Sequence, residues 1–311
     1  MAEAALARER LFALRSEISR LESENTVALA RAARESPWDR PIETESNLLA
    51  SGAEDFDAAL GGGVVKAALN EIRSETTANN GAASGFVLAL ARLALGPDAQ
   101  ARIPQRILWI ADPMGAFESG RPYGPGLAAH GVPPAAVLHA APKHLQDALM
   151  IAEAALSVRS FAAIILEVYG NPNKFGLTES RRLHLRAKAH RRPLFLLRER
   201  GEEEASNAVN RFHVRPAPAE PHILPNGRAW PQGIGNPVFH VTIEKSRNPS
   251  PPEFLLEWNA HDCLFRTVEP GRLAVPTGEQ SANPRTPLSV AADRTDRAAA
   301  LGTVMAFSRA S

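Results

Sequence analysis

Along the chain, the first regular pattern of apolar and polar positions is helical. Leu11, Leu14, Ile18 and Leu21 recur at steps of 3, 4 and 3 among charged residues, which predicts a helical arm within residues 1–36. Two prolines, Pro37 and Pro41, end it. The apolar stripe suits either packing on its own domain or contact with another chain. Further on, "DFDAALGGGVVKAALNEI" predicts a short helix, a tight reversal at Gly61, Gly62 and Gly63, and a strand ending near Ile72. From there helices over 84–95, 124–130, 144–158 and 178–190 alternate with strands over 106–111, 136–139, 162–168 and 193–198. Near-continuous apolar strands separated by helices predict an α/β fold, a mostly parallel sheet with helices on both faces. Stretches at 209–214 and 238–245 read as antiparallel. In "EFLLEWNAHDCLFR", Phe254, Leu256 and Trp258 alternate with Leu255 and Glu257, predicting an antiparallel edge hairpin. Residues 269–311 are rich in Pro, Ser, Thr, Ala and Arg and predict a flexible C-terminal tail. Within it Leu301, Val304, Met305 and Phe307 could dock in a partner's groove.

Composition narrows the class only a little. A net charge of +1 gives no global field for nucleic acid, so such binding would need a local patch. The single cysteine, Cys263, excludes an internal disulfide and a multi-cysteine zinc site. Charges at Glu3, Arg8, Glu9 and Arg10 spoil a signal peptide, and the longest apolar stretch, Phe86 to Leu95, is short for a membrane and carries Arg92. A cytoplasmic protein that does not span a membrane is expected.

Candidate chemistry centres on "ETTANNGAASGFVLALARLAL", which occupies the place of a phosphate-binding loop between a strand and a helix. Such a loop needs backbone N–H groups from a glycine-rich turn, a lysine for the outer phosphates and a hydroxyl for magnesium. Gly81 and Gly85 could supply the turn and Ser84 the hydroxyl, yet positions 74–85 hold no lysine or arginine. Backbone dipoles alone favour an anion by about 1 kcal/mol. At the end of the strand "AAIILEV", where a hydrolase places a magnesium aspartate, the chain has Glu167. No catalytic residue, metal or cofactor is expected and hydrolysis of ATP is not, while nucleotide binding without hydrolysis stays open.

Taken together, "FDAALGGGVVKAALNEI", the loop-helix that follows it, "RILWIAD", "YGPGLAAHGVPPAAVLHA", "AAIILEV", "LTESRRLHLRAKAHRRPLFLLR" and "NRFHVRPAPA" resemble the RecA-like core, and within it the ImuA family of damage-inducible mutagenesis proteins. The resemblance covers residues 48–268 as a core with a degenerate phosphate loop. Its most specific pieces are LGGG, YGPGLAAHGV and LTESRRLHL. It implies a RecA-like and SulA-like fold and a non-catalytic accessory role in translesion DNA synthesis, beside the polymerase-like protein ImuB. RecA, a replicative-type error-prone polymerase and a second copy of the chain are further candidate partners. "RERGEEEASN", in the place of a DNA-binding loop, carries Glu202, Glu203 and Glu204, which would repel phosphates.

Basic charge gathers between Thr178 and Arg200. Arg181, Arg182, Lys188 and Arg192 are the candidate residues for a weak, sequence-blind DNA contact, with no aromatic residues interleaved for base stacking. A solvated helix face or a surface for an acidic partner fits the same charges. Two other readings of the whole chain stand beside the adaptor. One is an NTPase whose unconventional loop is completed by Lys66 or Arg73, and the other is a SulA-like inhibitor that caps a polymerising cell-division protein.

Overall fold

In the computed structural model, the described residues are 47–96, 105–221, 235–247 and 253–269, with a few single positions between 222 and 234. The proposed arm with Leu11, Leu14, Ile18 and Leu21, and the tail run Leu301, Val304, Met305 and Phe307, lie outside the described residues.

Apolar alternation sets up the first small unit. Strands β1 (Leu48–Leu49) and β2 (Val64–Val65) pair antiparallel around helix α1 (Glu54–Ala59), which buries Phe56. The three glycines close the return with φ of 75°, 111° and 130° at Gly61, Gly62 and Gly63. A Cβ at Gly63 would meet the Leu49 carbonyl oxygen at 2.3 Å, so no side chain fits there.

The main sheet has nine strands in the order β11-β10-β9-β8-β3-β7-β6-β4-β5. Its parallel part comprises β3 (Leu69–Arg73), β4 (Arg106–Ala111), β5 (Val137–Ala140), β6 (Phe161–Tyr169), β7 (Leu194–Glu199) and β8 (Asn210–Ala217). Antiparallel strands β9 (Val238–Lys245), β10 (Glu253–Asn259) and β11 (Leu264–Thr267) extend it beyond β8, so the expected edge hairpin is present.

Both faces of the parallel part are covered, as its near-continuous apolar strands require. On one face Ile72, Ile107, Trp109, Ile165 and Phe195 pack against helix α2 (Thr77–Leu95). The core there continues through the rings of Phe56, Phe86, Phe212, Phe239, Phe265 and Trp258, with successive centroids 4.8–6.4 Å apart. Each buried ring contributes about 1.5–3 kcal/mol by burial, and edge-on pairs add about 1 kcal/mol. On the other face Leu69, Leu108, Ile164, Leu194 and Leu196 pack against helices α5 (Leu145–Leu156) and α6 (Leu177–His190). Two short helices, α3 (Pro113–Glu118) and α4 (Gly124–Ala129), follow β4.

One boundary corrects the sequence expectation in a way that matters for function. Helix α2 starts at Thr77, not near Ser84, so Gly81, Ser84 and Gly85 are helical and not part of a loop. Asn79, Asn80 and Gly81 favour turns in isolation, but tertiary contacts override them. Asn80 is buried and accepts a hydrogen bond from Ser74 Oγ at 2.6 Å, while Ala83 is fully buried against the sheet. Helix α3 was also absent from the sequence pattern, being too short to show a period.

Candidate functional site

The junction between β3 and α2 is short. Only Ser74, Glu75 and Thr76 connect Arg73 to Thr77. Its backbone is tied down, with Ser74 N–H donating to the Arg198 carbonyl at 3.0 Å and the Ser74 carbonyl accepting from Gly201 N–H at 3.1 Å. Arg73, which one reading would send to a phosphate, instead donates from Nε to Glu244 at 2.7 Å and from Nη1 to the Gly201 carbonyl at 3.2 Å. Lys66 precedes β3 and so sits at the other end of that strand from the junction.

Gly81, Ser84, Gly85 and Glu167 nevertheless come together. They line one cavity of about 310 Å³ with Leu88 on α2, Trp109 on β4, and the segment running from Ser119 through Tyr123 into α4. The cavity lies over the α2 face of the sheet, toward the C-terminal ends of β4 and β6, the end of a parallel sheet where loops converge on ligands.

The carboxyl at its floor is unusual. Glu167 is 3% exposed, and burial, followed by the charge of Glu199, raises its pKa to about 7, with Asp112 adding to the effect. Trp109 Nε1 donates to Glu167 Oε2 at 2.6 Å and opposes the shift, while Oε1 has no partner. Burial likewise raises Glu199, opposed by the hydroxyl of Ser119 that donates to it. Asp112 caps α3, accepting from Gly115 N–H at 2.6 Å and from Tyr169 N–H at 3.1 Å. A Cβ on Gly115 would lie 3.2 Å from both Asp112 Oδ1 and Glu167 Oε1, so glycine is what lets α3 sit on this group of acids.

His130 completes the wall. Burial lowers its pKa, keeping the ring neutral, and Nδ1 lies 3.1 Å from the Gly126 carbonyl, which assigns the proton to Nδ1 and leaves Nε2 as an acceptor. A Cβ on Gly85 would meet that Nε2 at 3.1 Å. The cavity therefore presents a carboxyl whose pKa is raised to about 7 and a neutral imidazole among largely apolar walls, with Arg121 as the cation in its lining. Nearby, Met114 is 50%, Phe117 80% and Tyr123 73% exposed.

The acidic loop behaves differently from its sequence reading. Glu203 and Glu204 do not simply project as repelling charges, since they approach the buried guanidinium groups of Arg211 and Arg198 at 3.4 Å each. Those two arginines flank buried Glu71, with Arg198 Nε at 3.0 Å and Arg211 Nε at 3.3 Å as ion pairs without aligned hydrogen bonds. The network staples the loop after β7 to the sheet.

Among the basic candidates, Arg181, Arg182 and Lys188 are exposed on α6, whereas Arg192 lies beyond the helix, after Arg191 has turned to a φ of 52°. Arg182 and Arg186 share Glu153 of α5 at 3.0 and 3.1 Å, which reduces the net charge of this face. Sequence reasoning missed Trp109, Tyr123 and His130, because only the fold brings β4 and α4 to Glu167; the signal available was "YGPGLAAHGV" itself. Among the described residues there is no group of three or more His, Cys, Asp or Glu side chains able to hold a metal ion, and no helix long and apolar enough to cross a membrane. No protein-family model and no curated protein matches the chain.

Proposed function

We propose that this chain is a non-catalytic, RecA-like accessory protein of damage-induced translesion DNA synthesis, acting as an adaptor for an ImuB-type polymerase-like partner. The adaptor assignment comes from the sequence resemblance to the ImuA family. One structural observation carries the non-catalytic half: the position of a phosphate loop is occupied by a three-residue junction followed directly by helix. A cradle for phosphates needs several free backbone N–H groups on a turn, and the N–H groups of a helix interior are used up by the helix itself. The mostly parallel sheet with an antiparallel extension on one side supports the RecA-like part. The exposed Met114, Phe117 and Tyr123 supply apolar surface of the kind partners cover. Arg73 clamping Glu244 counts against the NTPase reading that would use it.

Affinity capture of the full chain from cells with damaged DNA tests the adaptor role. A polymerase-like protein recovered with it, in equal amount for Ser84→Ala, is the expected result. Recovery of a polymerising cell-division protein instead would turn the assignment to the SulA-like reading.

A further inference from the structure

We propose that the N-terminal edge of the parallel sheet, where α6 and the end of β9 come together, binds the sugar-phosphate backbone of nucleic acid. It deepens the function proposed above and rests on that reading only for DNA as the natural polymer.

The surface is built from separate parts of the chain. Helix α6 ends at His190, and Arg191 and Arg192 lead into the start of β7. Arg192 Nη2 donates to the carbonyl of Arg159, just before β6, at 2.9 Å. Because β9 runs antiparallel to β8, with Lys245 opposite Arg211, its last residues return to this same edge. Lys245 Nζ then donates to the Ser206 carbonyl at 2.9 Å, and the neighbouring Asn207 N–H donates to Ser180 Oγ on α6 at 3.2 Å. Lys245 and Arg247, some 60 residues from α6 in sequence, thereby join its cations.

Two histidines register the resulting field. His184, whose Nδ1 is 3.4 Å from Leu69 N–H at the start of β3, is held below its ordinary pKa by burial and then by Lys188, Lys245 and Arg247. His190 is lowered by burial and then by Arg186 and Arg192. Cations from α6, from the approach to β7 and from the end of β9 thus act on adjacent turns of one helix.

The arrangement suits a polyanion. The charges extend along α6, whose 14 residues span about 20 Å. Nucleic acid repeats its charge over such a length, and arginine predominates here, the side chain best matched to phosphate. An acidic protein would want apolar anchors as well. The most exposed large ones, Phe117 and Tyr123, follow β4 at the opposite edge of the sheet, while Leu177 and Leu185 on α6, Met150 on α5 and Val158 before β6 are 40–64% exposed beside these cations.

Fluorescence anisotropy of a labelled thymidine oligonucleotide and of a duplex, each about 20 nucleotides long, titrated with the full chain between about 50 and 200 mM salt, tests the proposal. Affinity should fall steeply with salt and be similar for unrelated sequences. Reversing one charge on each element, Lys188→Glu with Arg247→Glu, should weaken binding by about tenfold or more and flatten the log–log salt slope by about 1.5. The neutral pair, Lys188→Ala with Arg247→Ala, should show the same loss at about half the size on the logarithmic scale, which keeps the test open if the reversed pair misfolds. Salt-independent binding, parental affinity in a folded variant, or stronger retention of polyglutamate than of the oligonucleotide would overturn it. Capture of the polymerase-like partner by the charge-reversed chain separates failure of this surface from failure of the adaptor reading.

Discussion

Glu167 is the residue at which charge and packing conflict most. Its folded pKa of about 7 stands above the ordinary glutamate value of 4.5, so the fold prefers the protonated form. As pH rises from about 4.5 the unfolded chain releases this proton while the folded one retains it, and stability falls until the folded group also ionises near pH 7. The full loss from this group is on the order of 3 kcal/mol. Glutamine at this position keeps an oxygen for the Trp109 N–H and has no proton to lose. Comparison of urea midpoints at pH 5 and pH 8 should therefore show the parent losing more stability than Glu167→Gln, with the variant the more stable of the two at pH 8. Equal changes in both proteins would mean that Glu167 ionises as an ordinary carboxylate.

Helix α2 decides between a phosphate loop and a closed frame, and two of its glycines separate the cases. Gly81 is exposed, has no positive φ, and a Cβ there would meet nothing within 4 Å. In a helix, Gly81→Ala should stabilise the protein by about 0.5–1 kcal/mol, whereas a glycine in a phosphate-cradling turn would be harmed by the change. Gly85→Ala should destabilise, because its Cβ would press on His130 Nε2 at 3.1 Å and on the Phe239 ring at 3.2 Å. Thermal unfolding of the two variants gives opposite shifts if α2 begins at Thr77, and a loss in both would restore the loop.

The same helix shows what could be read in advance. Strands such as "AAIILEV" and "PLFLLR" announced themselves because a strand buried on both faces is apolar throughout, and a mostly parallel sheet followed. The start of α2 did not, because Asn79, Asn80 and Gly81 carry turn propensity that is overridden by the Ser74 hydrogen bond to Asn80 and by the burial of Asn80 and Ala83. Glu167, Gly81, Ser84 and Gly85 were legible as a group through the phosphate-loop comparison. Trp109, Tyr123 and His130 were not, since the cavity exists only once β4 and α4 close over α2. Lys245 and Arg247 stayed apart from the basic helix in sequence until the antiparallel return of β9 brought them to it.

For the whole molecule, the layout separates three surfaces on one sheet. Its C-terminal edge carries the cavity with Glu167 and His130, exposed aromatic residues stand beside it, and the N-terminal edge carries the cations. An adaptor needs separate surfaces more than it needs turnover, and the β3–α2 junction is where turnover would have to reside. Equilibrium titration of the full chain with a fluorescent ATP analogue in the presence of magnesium measures this directly. The account predicts no saturable binding up to about millimolar analogue, the weak end of ordinary ligand affinities, and no change with Ser84→Ala. Saturable micromolar binding that Ser84→Ala abolishes would contradict it, and would make this chain a nucleotide-binding protein of unconventional design.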